Sequence, residues 1–287
     1  MTPGVGADAR SSLSVVSTGK SSRKASHGGG RGEGLKVLEK TLRVLDLFTG
    51  SEPEWTVTEI ARAAELPTPT AYRILRSLEG HAYLFRTDGA RYRLGVAAME
   101  LGRRAMASME LRSALRPVLR QLGRDTHETV ILSVYDERHQ AALCVDRVEP
   151  DHSLRLSLEI GSRTPLHAGA SSKAMLAYLD EETVEEVLDR PLEALAPQTI
   201  TDPERLRAER RQIRRRGWSY SYEETDVGAW GLSAPILTRD EHLLGVLGIV
   251  APTARHSDQI IHAFTEAVRE GAREGATVLD RRPSRSA

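Results

Sequence analysis

Cysteine is almost absent from this sequence: Cys144 is the single one among 287 residues, and aromatic residues make up only 5%. One cysteine excludes an internal disulfide and a cysteine-rich zinc site. The sequence has no run of about 18 apolar residues, so we expect no membrane-spanning helix. The apolar stretch at residues 13–16 is too short for a secretory signal, and we therefore expect a soluble protein of the reducing cytoplasm.

Net charge is also absent, because 40 basic residues balance 40 acidic ones. The charge is unevenly distributed, with +3 over residues 1–33, +1 over residues 34–110 and −4 over residues 111–287. The positive charge of the N-terminal part permits it to bind a polyanion. Residues 1–33 are rich in glycine and serine and are expected to be disordered. This basic tail is either an inert linker or a source of non-specific phosphate contacts.

Two helices are predicted at the start of the ordered chain. Leucines at helical spacing from Leu35 to Leu45 predict the first helix, which Gly50 is expected to end. Thr56 and Glu59 have the spacing of a capping box, which predicts the start of the second helix. The residues expected to be buried in the second helix are Val57, Ile60, Ala61 and Ala64.

A third helix is predicted to run from a cap at Thr68, with Pro69 at its first position, to a stop at Gly80. The residues expected to face the core are Ala71, Ile74, Leu75 and Leu78. Steps of about 100° per residue then place Arg73 and Arg76 on the opposite, outward face. The residues expected at the margins of that face are Thr70, Tyr72 and Ser77. Arginine can hydrogen-bond guanine through two parallel bonds, so this face suits DNA recognition, the alternative being an ordinary solvated helix face.

A β-hairpin is expected after the third helix, with Asp88 and Gly89 as a two-residue turn. The cross-strand pairs predicted from this turn are Phe85 with Tyr92 and Arg86 with Arg91. Two arginines directly opposite each other repel, so the hairpin, which also carries Arg93, is expected to contact DNA phosphates. Three short helices followed by a hairpin are the order of a winged helix-turn-helix.

The rest of the chain contains clustered strands and helices. Helices are expected at 96–109 and around 115–122, and later at about 171–189, 202–216 and 256–280. Strands are expected at 129–135, 140–148, 154–157, 231–237 and 243–250. This clustering predicts an α+β domain with an antiparallel sheet.

Short sequence motifs recur in a specific order along both halves of the chain. The front carries Thr58-Glu59-Ile60-Ala61, Leu66-Pro67-Thr68-Pro69-Thr70-Ala71-Tyr72-Arg73-Ile74-Leu75 and Arg91-Tyr92-Arg93-Leu94-Gly95. The rear carries Asp146-Arg147-Val148, Gly161-Ser162-Arg163-Thr164-Pro165-Leu166-His167-Ala168, Lys173-Ala174, Gly217-Trp218, Glu224, Gly228 and Ala234-Pro235. With these motifs, the sequence from about Leu35 to Leu279 resembles the IclR-type family of bacterial transcriptional regulators.

The resemblance implies a DNA-binding regulator, commonly a repressor, that assembles as a dimer or a dimer of dimers on double-stranded operator DNA. The expected division is a disordered tail (1–33), a winged helix-turn-helix (34–95), a linker helix (96–112), a GAF-like effector-binding domain (113–280) and a short tail (281–287). Taken with the helical geometry, the expected DNA-contacting residues are Thr68, Thr70, Tyr72, Arg73, Arg76, Ser77, Arg86, Arg91 and Arg93.

The resemblance also implies a pocket for a small organic effector, often a carboxylate or an aromatic acid. Its expected residues are Ala170, Ser171, Ser221, Ala229, Gly231, Gly248 and Val250, with Leu154, Leu156 and His167 completing the wall. Two positions depart from the family pattern: Ser172 replaces the glycine common before the helix lysine, and the bulky Trp230 lies among small residues.

The residues alone leave alternatives open at this pocket. The loop at 170–172 either presents helix-start amides to an anion or is closed by a serine cap from Ser171 or Ser172. His167 is either a pocket residue or a structural histidine.

Enzyme chemistry is not favoured by the residue pattern. Ser171-Ser172-Lys173 lacks the S-x-x-K spacing, and Cys144 lies within an apolar strand where a buried, unreactive thiol is expected. The histidines are dispersed, so we expect no metal, no cofactor and no catalytic residue. The alternative function is an effector-binding protein or enzyme whose N-terminal helices serve assembly, and salt-dependent operator binding distinguishes the two.

Overall fold

The computed structural model of the chain describes residues 31–50, 52–150 and 158–280. The expected disordered tail therefore lies outside the described residues, except for 31–33, where the first helix has already begun. The expected strand at 154–157 also lies outside them.

The N-terminal part folds as the predicted winged helix-turn-helix. Its elements are α1 (Arg31–Asp46), β1 (Trp55–Thr56), α2 (Val57–Ala63), α3 (Thr68–Gly80), β2 (Leu84–Arg86) and β3 (Arg91–Leu94). The three strands are antiparallel in the order β1-β3-β2. The helices and the sheet enclose one apolar core, in which Leu75, Leu84 and Tyr92 are fully buried.

The first helix ends earlier than Gly50, the residue expected to stop it. Helix α1 ends at Asp46, and the chain then turns so that Phe48 enters the core. The indole Nε1 of Trp55 donates to the carbonyl of Leu47 at 3.0 Å, which satisfies an acceptor released by the helix end. Tertiary burial of Phe48, rather than the glycine, therefore sets this boundary.

The predicted capping box at the start of α2 is confirmed, because Thr56 and Glu59 exchange side-chain to backbone hydrogen bonds in both directions. The hydrogen bonds that the Glu59 carboxylate accepts from the amide and the hydroxyl of Thr56 hold its pKa below the usual value. The predicted Thr68 cap is wrong: Pro67 is the capping residue of α3, with no side-chain bond. The carbonyl of Pro67 accepts from the amides of Thr70 and Ala71, which makes Thr68 the first helical residue.

The C-terminal part begins with two helices, α4 (Val96–Ser108) and α5 (Glu110–Thr126), separated by the extended backbone of Met109. The remaining elements are β4 (Thr129–Asp136), β5 (Ala141–Val148), β6 (Arg163–Pro165), α6 (Ala170–Leu176), α7 (Glu181–Leu188), α8 (Pro203–Arg216), β7 (Ser219–Tyr222), β8 (Ala229–Leu237), β9 (Leu243–Pro252) and α9 (Asp258–Asp280). The single helix expected at 171–189 is wrong, because a new helix α7 starts where Asp180 accepts from the amide of Thr183.

The six strands β4–β9 form one antiparallel sheet in the order β6-β5-β4-β9-β8-β7, as the α+β prediction requires. Helices α5 and α9 cover one face, where the apolar side chains of Leu132, Leu232 and Leu247 are buried. Successive residues of a strand point to opposite faces. The neighbouring Gly231 and Gly248 therefore belong to the other face, on which α6 packs, and their small size leaves room there.

Candidate DNA-binding surface and ligand cavity

The two faces of α3 are arranged as the helical spacing predicts. Four apolar residues are buried: Ala71, Ile74, Leu75 and Leu78. Tyr72, Arg73, Arg76 and Ser77 are exposed, and Thr70 is half-buried at the edge. Arg73 makes no hydrogen bond or ion pair within the described part of the chain, whereas Arg76 pairs with Glu79 at 2.9 Å. Arg73 can therefore bond an external acceptor directly, whereas Arg76 must first release Glu79.

The register of the hairpin differs from the prediction by one residue. The amide of Thr87 donates to the carbonyl of Arg91, and the loop contains three residues, the last being Ala90 at φ +58°. A three-residue loop of this kind ends with one residue in the left-handed region. The expected pairing of Arg86 with Arg91 is therefore wrong, since Arg86 lies opposite Tyr92 and Phe85 lies opposite Arg93.

The three arginines of the hairpin differ in their partners. Arg91 donates to the carbonyl of Glu54 at 2.9 Å and to the carboxylate of Glu59 at 3.2 Å. Arg93 forms an ion pair with Glu54 at 3.5 Å. Arg86 has no such partner within the described residues. The hairpin therefore presents Arg86 to an outside acceptor, while Arg91 and Arg93 tie the hairpin to the segment before α2.

The face of the large sheet on which α6 packs borders a cavity of about 340 Å³. Its walls are the loop that enters α6, the loop at 225–227 and strands β4, β8 and β9. Six expected effector residues line it together: Ala170, Ser171, Ser221, Ala229, Gly231 and Val250. Gly248 lies directly behind, against the hydroxyls of Ser171 and Ser233. Leu154 and Leu156 lie outside the described residues.

His167 does not line this cavity, contrary to the expectation. Its ring is buried, and its Nε2 bonds to the carbonyl of Glu193 at 2.8 Å. Both residues that this bond joins line a different cleft. The structural interpretation of this histidine is the one the geometry supports.

Several cavity residues were missed by the sequence reasoning. Ser133 and Ser233 are buried polar residues on β4 and β8, and Ser233 shares a 2.8 Å hydrogen bond with Ser171. Both could have been found from strand alternation, because Ser233 shares the face of Gly231. Thr225, Asp226 and Val227 also line the cavity, but they belong to a loop that carries no periodic signal.

A buried ion pair joins the two loops that wall the cavity. The ammonium of Lys173 contacts the carboxylate of Glu224 and donates to the carbonyl of Tyr220 at 2.8 Å. The other carboxylate oxygen of Glu224 accepts from the amide of Gly169 at 3.0 Å. Burial raises the pKa of the Glu224 carboxyl, and the adjacent Lys173 ammonium opposes that rise.

The serine-cap interpretation of the loop at 170–172 is wrong, and the presentation of its amides to an anion stays a prediction. The amide of Gly169 at the entry to α6 already serves Glu224, a carboxylate of the chain itself. Ser171 and Ser172 do not cap the helix, because Ser171 bonds to Ser233 and Ser172 donates to the carbonyl of Thr164. The serine hydroxyls therefore belong to the cavity side of the loop.

Trp230 is among the residues that line the cavity, and its ring packs against α9. Its Nε1 donates to the carbonyl of Pro252 at 3.0 Å, and its ring stacks on Phe264 of α9 with centroids 6.0 Å apart.

Cys144 is buried in β5 as expected, and burial raises the pKa of its thiol to about 11. A thiol with that pKa is almost entirely protonated at neutral pH and a poor nucleophile.

Within residues 31–50, 52–150 and 158–280, no helix is both long and apolar enough to cross a membrane. Those same ranges contain no group of three or more His, Cys, Asp or Glu side chains that could hold a metal ion.

Comparison with known proteins matches both parts of the chain. The family described as "Bacterial transcriptional regulator IclR C-terminal" matches residues 103–276, and the "IclR helix-turn-helix domain" matches residues 37–88. The transcriptional repressor IclR of Escherichia coli K12 is 30% identical over 242 residues, covering 84% of this chain and 88% of that protein. The acetate operon repressor of Salmonella typhimurium is 29% identical over 84% of this chain and 88% of its own length.

Solved structures of related proteins agree with this match. An IclR homologue of Microbacterium hydrocarbonoxydans, crystallised with 4-hydroxybenzoate, has a TM-score of 0.75 and 28% identity, covering 86% of this chain and all of that one. The IclR-type regulator of Alicyclobacillus acidocaldarius has a TM-score of 0.77 and 25% identity over 85% of this chain and 98% of its own. The chain therefore belongs to the IclR family of bacterial transcriptional regulators, and it is a DNA-binding regulator rather than an enzyme.

Proposed function

We propose that this regulator is a repressor whose operator affinity is set by a small organic effector bound in the cavity beside α6. The observation that carries the proposal is the cavity itself, which is lined by five serines, three from the sheet and two from α6. Ser171 and Ser233 bond to each other and Ser172 donates to Thr164, whereas the hydroxyls of Ser133 and Ser221 make no hydrogen bond within the described residues, so a polar ligand can supply their partners. The relative crystallised with 4-hydroxybenzoate supports a ligand of this size class.

The effector is expected to be small and bound without a protein cation. A cavity of about 340 Å³ lies at the lower end of the range of roughly 300–1,000 Å³ found for small-molecule sites. Among its described lining residues Asp226 is the one charged side chain, and none is Lys or Arg. A carboxylate or phenol of an aromatic effector would therefore be received by hydroxyls and backbone amides, while Ile131 and Val250 contact its apolar body.

Filling the cavity should remove effector binding. A Cβ on Gly231 would lie 3.6 Å from the Cβ of Ala170 and 3.5 Å from the hydroxyl of Ser221, so the side chain of Gly231→Leu would occupy the ligand's space. Calorimetry with benzoate, 4-hydroxybenzoate and 4-hydroxybenzamide should show binding of at least one compound to the native chain and none to the variant. Operator binding by the variant verifies its fold, and unchanged effector affinity in a folded variant would place the ligand elsewhere.

DNA is proposed to contact the outward face of α3 through base edges and the hairpin through phosphates. Arg86→Ala should weaken binding to cognate and to random DNA by similar amounts. It should also reduce the slope of log affinity against log salt concentration by about the value of one phosphate contact. Arg91→Ala should weaken DNA binding less, because the Arg91 guanidinium of the native chain is engaged by Glu54 and Glu59. Anisotropy titrations at several salt concentrations measure both slopes, and equal losses for the two variants would refute this distinction.

A second copy of the chain is proposed to cover apolar side chains on α1 and α4. The exposed residues are Leu35, Leu38, Leu42, Val96, Met99 and Leu101. One recognition helix buries too little surface for operator-level discrimination, so a dimer or a dimer of dimers that reads paired half-sites is expected.

Met99→Glu should shift the chain toward monomer and lower operator affinity, since it places a charge within an apolar contact. Sedimentation velocity measures the first effect, and Arg205→Gln on α8, which also changes the net charge by −1, is the control. A variant that keeps the native assembly would remove α4 from the interface.

A further inference from the structure

A second cleft lies at the β6 edge of the large sheet, with a volume of about 370 Å³. It is bounded by the turn before β5, by β6 and the residues after it, and by the loop at 190–193 that follows α7. Among the described residues, it shares no lining residue with the effector cavity. A ligand of this cleft would therefore be distinct from the effector.

The cleft carries two guanidinium groups with unused donors. Arg190 is exposed and makes no hydrogen bond or ion pair within the described residues. Arg163 uses Nε on the carboxylate of Asp136 at 2.6 Å, which leaves its two terminal nitrogens without a partner there. The acidic side chain that lines the cleft is Glu193. Two arginines facing one space are the usual donors to a planar carboxylate.

The same cleft offers two acceptors to a ligand hydroxyl. The side-chain Oε1 of Gln140 is buried and receives no hydrogen bond from the described residues, while its Nε2 donates to Glu186 at 2.5 Å. The ring of His167 is 5% exposed, and because its Nε2 donates to the carbonyl of Glu193, the neutral ring leaves Nδ1 as an acceptor.

We propose that this cleft is a second ligand site that binds a small hydroxycarboxylate. The carboxylate lies against Arg163 and Arg190, and the hydroxyl donates to Gln140 or His167. The contrast with the effector cavity is chemical: the cleft has cations and unsatisfied acceptors, whereas the described cavity wall has hydroxyls and no cation. The proposal does not depend on the identity of the effector.

Calorimetric titration of the full chain with L-malate and with succinate tests the assignment, because succinate lacks the hydroxyl. Malate should bind, and succinate should bind more weakly. Arg190→Gln should weaken malate binding by roughly tenfold or more, as expected when a charged hydrogen-bond donor is lost. Arg205→Gln is the matched control: it removes an exposed, unpaired arginine from α8 and should leave malate binding unchanged.

The location is tested separately with Gly231→Leu, in which the effector cavity is filled. Malate binding that survives in Gly231→Leu and is lost in Arg190→Gln supports the second site even if the effector proposal fails. Malate binding lost in Gly231→Leu and kept in Arg190→Gln would put malate in the effector cavity and overturn the inference. No binding of malate at millimolar concentration, or equal affinity for succinate, would overturn it as well.

Discussion

Arg73→Ala is expected to weaken operator binding by about 1 to 3 kcal/mol and to relax base preference at one position of each half-site. The side chain leaves the outward face of α3, is exposed, and has no intramolecular partner within the described residues. Such an arginine can donate two hydrogen bonds to a guanine without first breaking an ion pair. Arg76→Ala should also weaken binding, but part of the effect is offset because Arg76 must give up Glu79 in the native complex.

The measurement is a set of anisotropy titrations against the operator and against single-base variants of it. Arg205→Ala is the control, because it removes the same charge from an exposed position on α8. It should change affinity by less than Arg73→Ala and leave base preference as it was. Arg73→Ala that lowered affinity for every sequence equally would mean that this residue contacts phosphate and does not read bases.

Lys173→Met is expected to lower the free energy of unfolding by roughly 3–5 kcal/mol, since removing one partner leaves a buried charge uncompensated. Lys173 is 3% exposed and Glu224 is 7% exposed. In the variant, the carboxylate of Glu224 would keep its hydrogen bond from the amide of Gly169 but lose the Lys173 ammonium. Urea unfolding of the variant measures the loss.

The double variant Lys173→Met, Glu224→Gln should recover much of the stability, because neither remaining side chain carries a charge. Equal instability in the single and double variants would show that the loss comes from packing and not from the unpaired carboxylate.

Acidification should rescue the single variant. Burial raises the pKa of Glu224, and without the ammonium nothing of opposite charge opposes that rise. A folded-state pKa above the unfolded-state value means that folding takes up a proton, so stability is present at low pH and lost as pH rises through the folded-state pKa. The deficit of Lys173→Met against the native chain should therefore be larger at pH 8 than at pH 5. A deficit independent of pH would contradict this account.

The helical parts of the DNA-binding surface could be predicted because local spacing alone decides them. The buried and outward faces of α3 follow from the 3.6-residue period, and the Thr56 and Glu59 capping box depends on residues three apart. The hairpin register could not be predicted in the same way. Both a two-residue and a three-residue loop suit Asp88-Gly89, and the choice depends on Ala90 accepting a left-handed backbone.

The cavity was predictable where small residues alternate along strands, as at Gly231. It was not predictable where contacts join distant parts of the chain. Glu224 is 51 residues from Lys173, and their pairing fixes both loops around the cavity. His167 was expected in the cavity from the family resemblance, but its bond to Glu193 holds the ring beside another cleft.

Operator affinity measured with and without a cavity ligand, in the native chain and in Gly231→Leu, tests the central claim most directly. With benzoate, 4-hydroxybenzoate and 4-hydroxybenzamide as probes, the account predicts that the compound bound by the native chain shifts operator affinity by about 1 to 3 kcal/mol, roughly 5- to 150-fold. In Gly231→Leu the operator should still bind, and its affinity should no longer respond. A response of the same size in Gly231→Leu would contradict the claim that this cavity controls DNA binding.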